Sequence, residues 1–295
     1  MYNQITSNKE KTILLFVVAF AVVAGLGYLL SQVYDNPGIF VIALVIAIVQ
    51  AWVSYFYSDK VALSLSGARP ADHNSDRDLY HMVENLTMSV GLPMPKLYVI
   101  DDPAINAFAT GRDPKHAAVA VTRGAMEKLD KSELEGVLAH ELSHVQNRDI
   151  LVMTVVVTLV GVLSIVSNIF LRWSFWGGGR SRDNENGGNA IMAIFGIIAI
   201  ILAPIIGSLI QLAISRKREY LADASGALIT RYPDGLASAL EKIAGDKSQL
   251  QTANTATAHM FIANPFKKAG SWASGLLQTH PPITDRVKRL REMAM

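Results

Sequence analysis

The segment LAHELSHVQNRD, residues 138–149, holds two histidines four positions apart, with a glutamate directly after the first. On a helix, His140 and His144 fall one turn apart on one face, so their imidazoles reach a common tetrahedral metal ion. The carboxylate of Glu141 is then set to reach a water beside that ion rather than the ion itself. A divalent metal lowers the pKa of such a water to about 7, and a nearby carboxylate takes its proton. The chemistry implied is hydrolysis. The competing reading is a helix with incidental surface histidines.

Two histidines do not complete a catalytic zinc site, which needs a third protein ligand and one position left for water. The chain has no cysteine, so that ligand must be His, Asp or Glu. The segment SRKREYLADASGAL offers Glu219 and Asp223, i and i+4 on a predicted helix and therefore on one face. Glu219 can bind the metal. Asp223 can accept the second N–H of a ligating histidine and fix its tautomer. A solvated face of ion pairs with Arg216, Lys217 and Arg218 is the alternative.

These residues need elements to hold them. SELEGVLAHELSHVQNRD reads as one helix, opened by Ser132 with Glu135 three positions on, a capping-box pattern. Leu134, Val137, Leu138, Leu142 and Val145 give it an apolar face. Around it lie four apolar runs: Ile13–Leu30, Ile39–Tyr57, Ile150–Leu171 and Ala190–Ile214, none with Asp, Glu, Lys or Arg. Each reaches the ~17–25 residues that cross a bilayer as a helix. The chain is 51% hydrophobic with mean hydropathy +0.27, and the excess sits in these runs, so we read a membrane protein. The first run is longer than the ~7–15 apolar residues of a signal peptide. A net charge of +2 and the lack of basic stretches interleaved with aromatics exclude nucleic acid as a partner.

The chain then divides into a membrane hairpin (1–57), a first soluble part (58–149), a second hairpin (150–214) and a second soluble part (215–295). Lys9 and Lys11 precede run one, the loop SQVYDNPG has no basic residue, and Lys60 follows run two. This places the soluble parts in the cytoplasm. An antiparallel pairing of runs three and four returns Glu219, 75 positions beyond His144, to the side of the histidines. KLYVI, NAFAT and AAVAVTRG, with GRDPKH as a turn, read as a small antiparallel sheet.

INAFATGRDPKHAAVAVTRG, LAHELSHVQNRD, SRKREYLADASGA, NPF and THPPITDRVKRL occur in this order among the four runs. Together they resemble the HtpX-type membrane zinc metalloproteases, relatives of the CAAX prenyl endopeptidases. The resemblance implies a mainly α membrane protein with four transmembrane helices and an α+β, zincin-like (gluzincin) catalytic domain. It implies one zinc ion per chain on His140, His144 and Glu219, with Glu141 as general base. It implies peptide-bond hydrolysis of membrane-protein or unfolded polypeptide substrates, as quality control and stress response in the bacterial inner membrane, with the site facing the cytoplasm. NAFAT becomes the sheet edge that pairs with an extended substrate, and Asn106 a donor beside the scissile bond, where the residues alone also fit a strand cap. His280, held extended before two prolines, becomes the oxyanion donor, where the residues alone also fit a surface loop.

Other positions carry less. Asp149 ends the metal helix and is set to bond nearby backbone or an arginine. Arg218 is expected to pair with Asp223 or Glu219. His73, His81, His116 and His259 read as surface residues. Ile283, Val287 and Leu290 form a packing stripe. HMFIANPFKKAGSW fits a membrane-interface segment or a core loop, and Trp52, Trp173 and Trp176 fit interface anchors. A dedicated processing protease and a non-catalytic membrane metal-binding scaffold remain as alternatives. A transporter is disfavoured because the runs hold no ionisable residue. Oligomeric state is left open.

Overall fold

The computed structural model describes residues 2–33, 35–160, 216–252, 256–262 and 281–294. The chain opens with two long helices, α1 (Tyr2–Val33) and α2 (Pro37–Phe56). Their apolar stretches, Thr6–Gln32 and Pro37–Phe56, run 27 and 20 residues, at least the ~30 Å of a hydrocarbon core at 1.5 Å per residue. Only 11% and 22% of their apolar windows is buried within the protein. The core helix of a soluble domain would be covered, whereas Ile13, Val17, Ile42, Val45 and Ile48 face outward. Asn36 starts α2 by accepting the N–H of Gly38, with Pro37 in the first turn. The pair crosses tightly at Gly27, where a Cβ would stand 2.1 Å from that of Ala43.

Besides a 3-10 turn at Pro114–His116, the remaining described elements are α3 (Ser58–Leu65), β1 (Ala68–Pro70), α4 (Arg77–Val90), β2 (Lys96–Ile100), β3 (Ala107–Gly111), β4 (Ala117–Thr122), α5 (Arg123–Lys128), α6 (Lys131–Gln146), α7 (Asp149–Val160), α8 (Arg216–Thr230), α9 (Pro233–Gly245) and α10 (Ile283–Met293). The four strands lie in the order β1-β2-β4-β3. The sheet is mixed, not antiparallel as expected: β4 hairpins back from β3 and pairs parallel with β2. The short β1 was not foreseen. It adds antiparallel to β2, and its ARP sequence carries no strand alternation.

The period-2 pattern of β4 sends Val119 and Val121 to one core and Ala118 and Ala120 to another. The first core joins the sheet to α4, α6 and α9. The second joins its other face to α3, Leu15 of α1 and the valines of α7. The start of the third apolar run is therefore packed against the domain, buried from Val152 to Val160. The rest of that run, and the fourth, lie outside the described residues. Two candidate membrane spans stand among those described.

The start of α6 also differs from expectation. Its cap is Asp130, not Ser132: the Asp130 carboxylate accepts the N–H of Glu133 at 2.9 Å, and the Glu133 carboxylate accepts the N–H of Asp130 at 2.9 Å. Aspartate with glutamate three positions on makes the same reciprocal box two residues earlier.

Candidate metal centre

The middle of α6 is buried on every side, with Leu134, Val137, Leu138, Leu142 and Val145 in the core and His140, Glu141 and His144 also sequestered. Helix α8 crosses it closely because Gly226 has no side chain. A Cβ there would meet the backbone nitrogen of His140 at 3.0 Å. That approach carries Glu219, on the first turn of α8, to the two histidines. The Nε2 atoms of His140 and His144 lie 3.3 Å apart, and Glu219 oxygens lie 3.8 and 3.6 Å from them. Donors about 2.0–2.1 Å from a tetrahedral zinc stand about 3.4 Å from one another. The spacing and the donor types fit such an ion, and one donor from each residue falls within a 4.8 Å cluster.

The surroundings fix each candidate ligand. Asp223 Oδ1 lies 3.0 Å from Nδ1 of His140, which leaves Nε2 facing His144 and Glu219. Asp223 is held in turn by Arg286 of α10, whose Nε and Nη2 donate to its two oxygens at 2.8 and 2.6 Å. Asp149 Oδ2 takes the same position on His144, 3.1 Å from Nδ1. Asp149 thus opens α7 and orients a candidate ligand rather than merely ending the HELSH helix. Arg218 was expected on Asp223 or Glu219. It reaches instead toward Asp149, at 3.6 Å, and toward the side-chain oxygen of Asn8 in α1, at 3.4 Å, while the guanidinium on Asp223 is that of Arg286.

The cluster concentrates buried charge. Four buried carboxylates, Glu141, Asp149, Glu219 and Asp223, face two buried guanidiniums, Arg218 and Arg286. Burial raises Glu141 to about 8, although His144 and a hydrogen bond from the Ala109 N–H oppose it. Burial depresses His144, but the Asp149 bond and the Glu219 carboxylate carry it up to about 9. Burial wins at His140, which stays below its usual value despite Asp223.

A scan of family models matches residues 73–294 to Peptidase family M48. The chain belongs to peptidase family M48. This M48 protease is 47% identical to a protein named Protease HtpX homolog from Tropheryma whipplei (strain TW08/27), covering 99% of this chain and 98% of that one. It is 44% identical to a protein of the same name from Caldanaerobacter subterraneus, over 100% of this chain and 98% of the other. Among solved structures it is similar to S. mikatae Ste24p, with a TM-score of 0.50 and 20% identity over 98% of this chain and 67% of that one. That last likeness concerns the fold. The protein is an HtpX-type M48 membrane metalloprotease, and the His140–His144–Glu219 cluster is compatible with its metal site.

The other candidate residues of the M48 protease are distributed as follows. Asn106 is buried at the start of β3, where its side-chain oxygen accepts the N–H of Ala107 at 3.1 Å. Strand β3 is the sheet edge, yet all five of its residues are buried. Ile262 N–H donates to the carbonyl of Ala107 at 3.1 Å, and Phe261 packs edge-on against Phe108 at 5.1 Å. HMFI is therefore core-facing, and His259 is fully buried with Nε2 2.9 Å from the Met153 carbonyl, not on the surface as expected. His73, His81 and His116 are exposed. His280 and the NPF segment lie outside the described residues.

Sequence reasoning missed Arg286 and the contacts of Asn8. Arg286 had a signal: a charged residue on the stripe of Ile283, Val287 and Leu290, wholly buried here. Asn8 had none, being one polar residue at the head of an apolar run.

Proposed function

We propose that this protein is a zinc endopeptidase that binds one zinc ion on His140, His144 and Glu219 and hydrolyses peptide bonds of membrane or unfolded polypeptides at the cytoplasmic face of the bacterial inner membrane, in protein quality control. The observation that carries the reading is Glu141. It directly follows His140 of the His140–His144–Glu219 cluster and is itself buried. Metal binding alone requires no such residue, which argues against a non-catalytic scaffold.

Bound zinc would supply Lewis acidity to the scissile carbonyl and to the attacking water. Glu141 takes the proton of that water as its oxygen adds to the carbonyl carbon, then passes it to the amine as the C–N bond breaks. Asp223 and Asp149 keep the imidazoles of His140 and His144 presenting Nε2, and Arg286 keeps Asp223 in place. Asn106 and His280 are assigned to the substrate carbonyl and the oxyanion, with an extended substrate pairing along β3. Such pairing requires the contact of Ile262 on Ala107 to open.

The cytoplasmic assignment rests on the basic residues that flank the first two runs. It is supported by the hydrogen bond from Asn8, at the head of α1, to Asp149 beside the metal cluster, at 2.6 Å. The site lies at the N-terminal end of that span. The test is cleavage of a membrane-protein substrate by the purified, zinc-loaded chain in detergent. Glu141→Gln should lower kcat by about 10²–10⁴-fold, and undiminished cleavage by that variant would remove the reading.

A further inference from the structure

Where α2 ends, a cavity of about 280 Å³ opens between the membrane helix and the protease domain. This is close to the ~300 Å³ lower limit of small-ligand pockets. One wall is aromatic: Trp52 and Phe56 of the last turns of α2, with Tyr57. The other wall is basic, and its residues come from separate parts of the chain. Lys60 lies on α3, Lys96 begins β2, and Arg112 and Lys115 belong to the β3–β4 turn. Asp59 is the one carboxylate on the lining.

The cations are only partly satisfied. Arg112 and His116 share Asp113, at 3.6 and 2.9 Å. Lys60, Lys96 and Lys115 are exposed and form no ion pair among the described residues. Two cations are seated on the aromatic wall: the Lys60 ammonium stands 4.9 Å from the ring centre of Tyr57, and the Arg112 guanidinium 5.3 Å from that of Phe56.

Position selects the ligand. Helix α2 is sheathed by outward-facing Val45, Ile46, Val49 and Trp52, so its last turn lies where acyl chains give way to headgroups. A cavity at that depth with an aromatic wall toward the hydrocarbon and unpaired ammonium groups toward water complements one class of molecule. We propose that it binds the phosphate headgroup of an anionic phospholipid, with the lysines on the phosphate and the aromatic wall against the glycerol and first acyl carbons. Such a lipid bridges the end of α2 and the β3–β4 turn. It braces the far end of β3, the edge strand packed against α6. Juxtamembrane lysines draw anionic lipid in general; what distinguishes this site is that Lys96 of β2 and Lys115 of the β3–β4 turn converge on one cavity with Lys60.

The test is native mass spectrometry of the full chain, equilibrated in detergent with equal amounts of phosphatidylglycerol and phosphatidylcholine. The wild type should retain phosphatidylglycerol about tenfold over phosphatidylcholine. The triple variant Lys60→Gln, Lys96→Gln, Lys115→Gln should retain the two equally, with its metal content unchanged as the sign of folding. A second triple variant, Lys131→Gln, Lys247→Gln, Lys288→Gln, removes the same charge elsewhere and should keep the preference. Equal retention of both lipids by the wild type, or equal loss in both triple variants, would overturn the proposal. So would displacement of phosphatidylglycerol by millimolar inorganic phosphate, which would make the ligand a free anion.

Discussion

The side-chain amide of Asn8, two residues into the first apolar span, donates to Asp149 Oδ1 at 2.6 Å. The other oxygen of Asp149 lies 3.1 Å from Nδ1 of His144. A membrane helix is thus two hydrogen bonds from the metal cluster, and Asn8 is buried there with its oxygen toward Arg218. Truncating it frees Asp149 to turn from His144. Partners of this kind are worth about 10–100-fold in metal affinity. Asn8→Ala should weaken zinc retention by about tenfold in competition with a chelator, and Asn8→Leu should do no better. Unchanged affinity would make the contact incidental.

Arg286 should be the most costly single truncation outside the ligands. It is wholly buried, clamps Asp223 with two bonds and stands 3.8 Å from Glu219. Removing one partner of a buried ion pair costs about 3–5 kcal/mol, because the other charge is stranded. Arg286→Ala should lower the thermal midpoint in detergent well beyond Arg291→Ala, whose partners Asp234 and Glu241 are water-facing. Arg286→Lys should recover only part of the loss, since an ammonium cannot span both oxygens of Asp223.

Gly226 sets the distance between the helices that carry the ligands. Its absent Cβ would stand 3.0 Å from His140 N and 3.2 Å from His140 Cα. Neither backbone atom can rotate away, so a larger residue must push α8 off α6. Gly226→Val should cost about 1–3 kcal/mol and, more tellingly, reduce zinc affinity by moving Glu219 from the histidines. Zinc titration of the folded variant reads this directly. Gly245→Ala, where a Cβ meets nothing within 4 Å, is the control.

Asp246 ties the C-terminal half of the domain to the start of β3. Burial opposes its charge, but the N–H groups of Ile105 and Ser248, the Ser248 hydroxyl and the Lys128 ammonium hold its pKa at about 2. A carboxylate depressed in the folded state stabilises above its unfolded pKa, about 3.9, and that stability is lost as pH falls through the folded value. With solvent screening on the Lys128 side the contribution is about 1 kcal/mol. Asp246→Asn should lower the thermal midpoint at pH 7 and flatten its fall between about pH 4 and pH 2.

The clustering of His140, His144 and Glu219 was legible because their chemistry is local. His140, Glu141 and His144 declare themselves within five positions, and Glu219 with Asp223 repeats the one-turn spacing. The helices and apolar runs followed from periodicity and length. What stayed hidden depends on contacts between distant segments. The parallel pairing of β2 with β4, the seating of Arg286 on Asp223, and the reach of Asn8 to Asp149 join residues 22, 63 and 141 positions apart. Burial of His259 has the same origin: it depends on α7 lying beside residues 256–262, which no nearby residue signals. The cap moved from Ser132 to Asp130 because two boxes overlap in DKSELE, and only backbone geometry separates them.

The central claim is that two imidazoles and a carboxylate from α8 hold one catalytic zinc. Metal analysis of the purified full chain, beside its Glu219→Ala and Glu141→Gln variants, tests it most directly. One zinc per chain is expected in the wild type and in Glu141→Gln, and little in Glu219→Ala. Equal zinc in the wild type and Glu219→Ala, or a wild type that binds none when zinc is supplied, would contradict it.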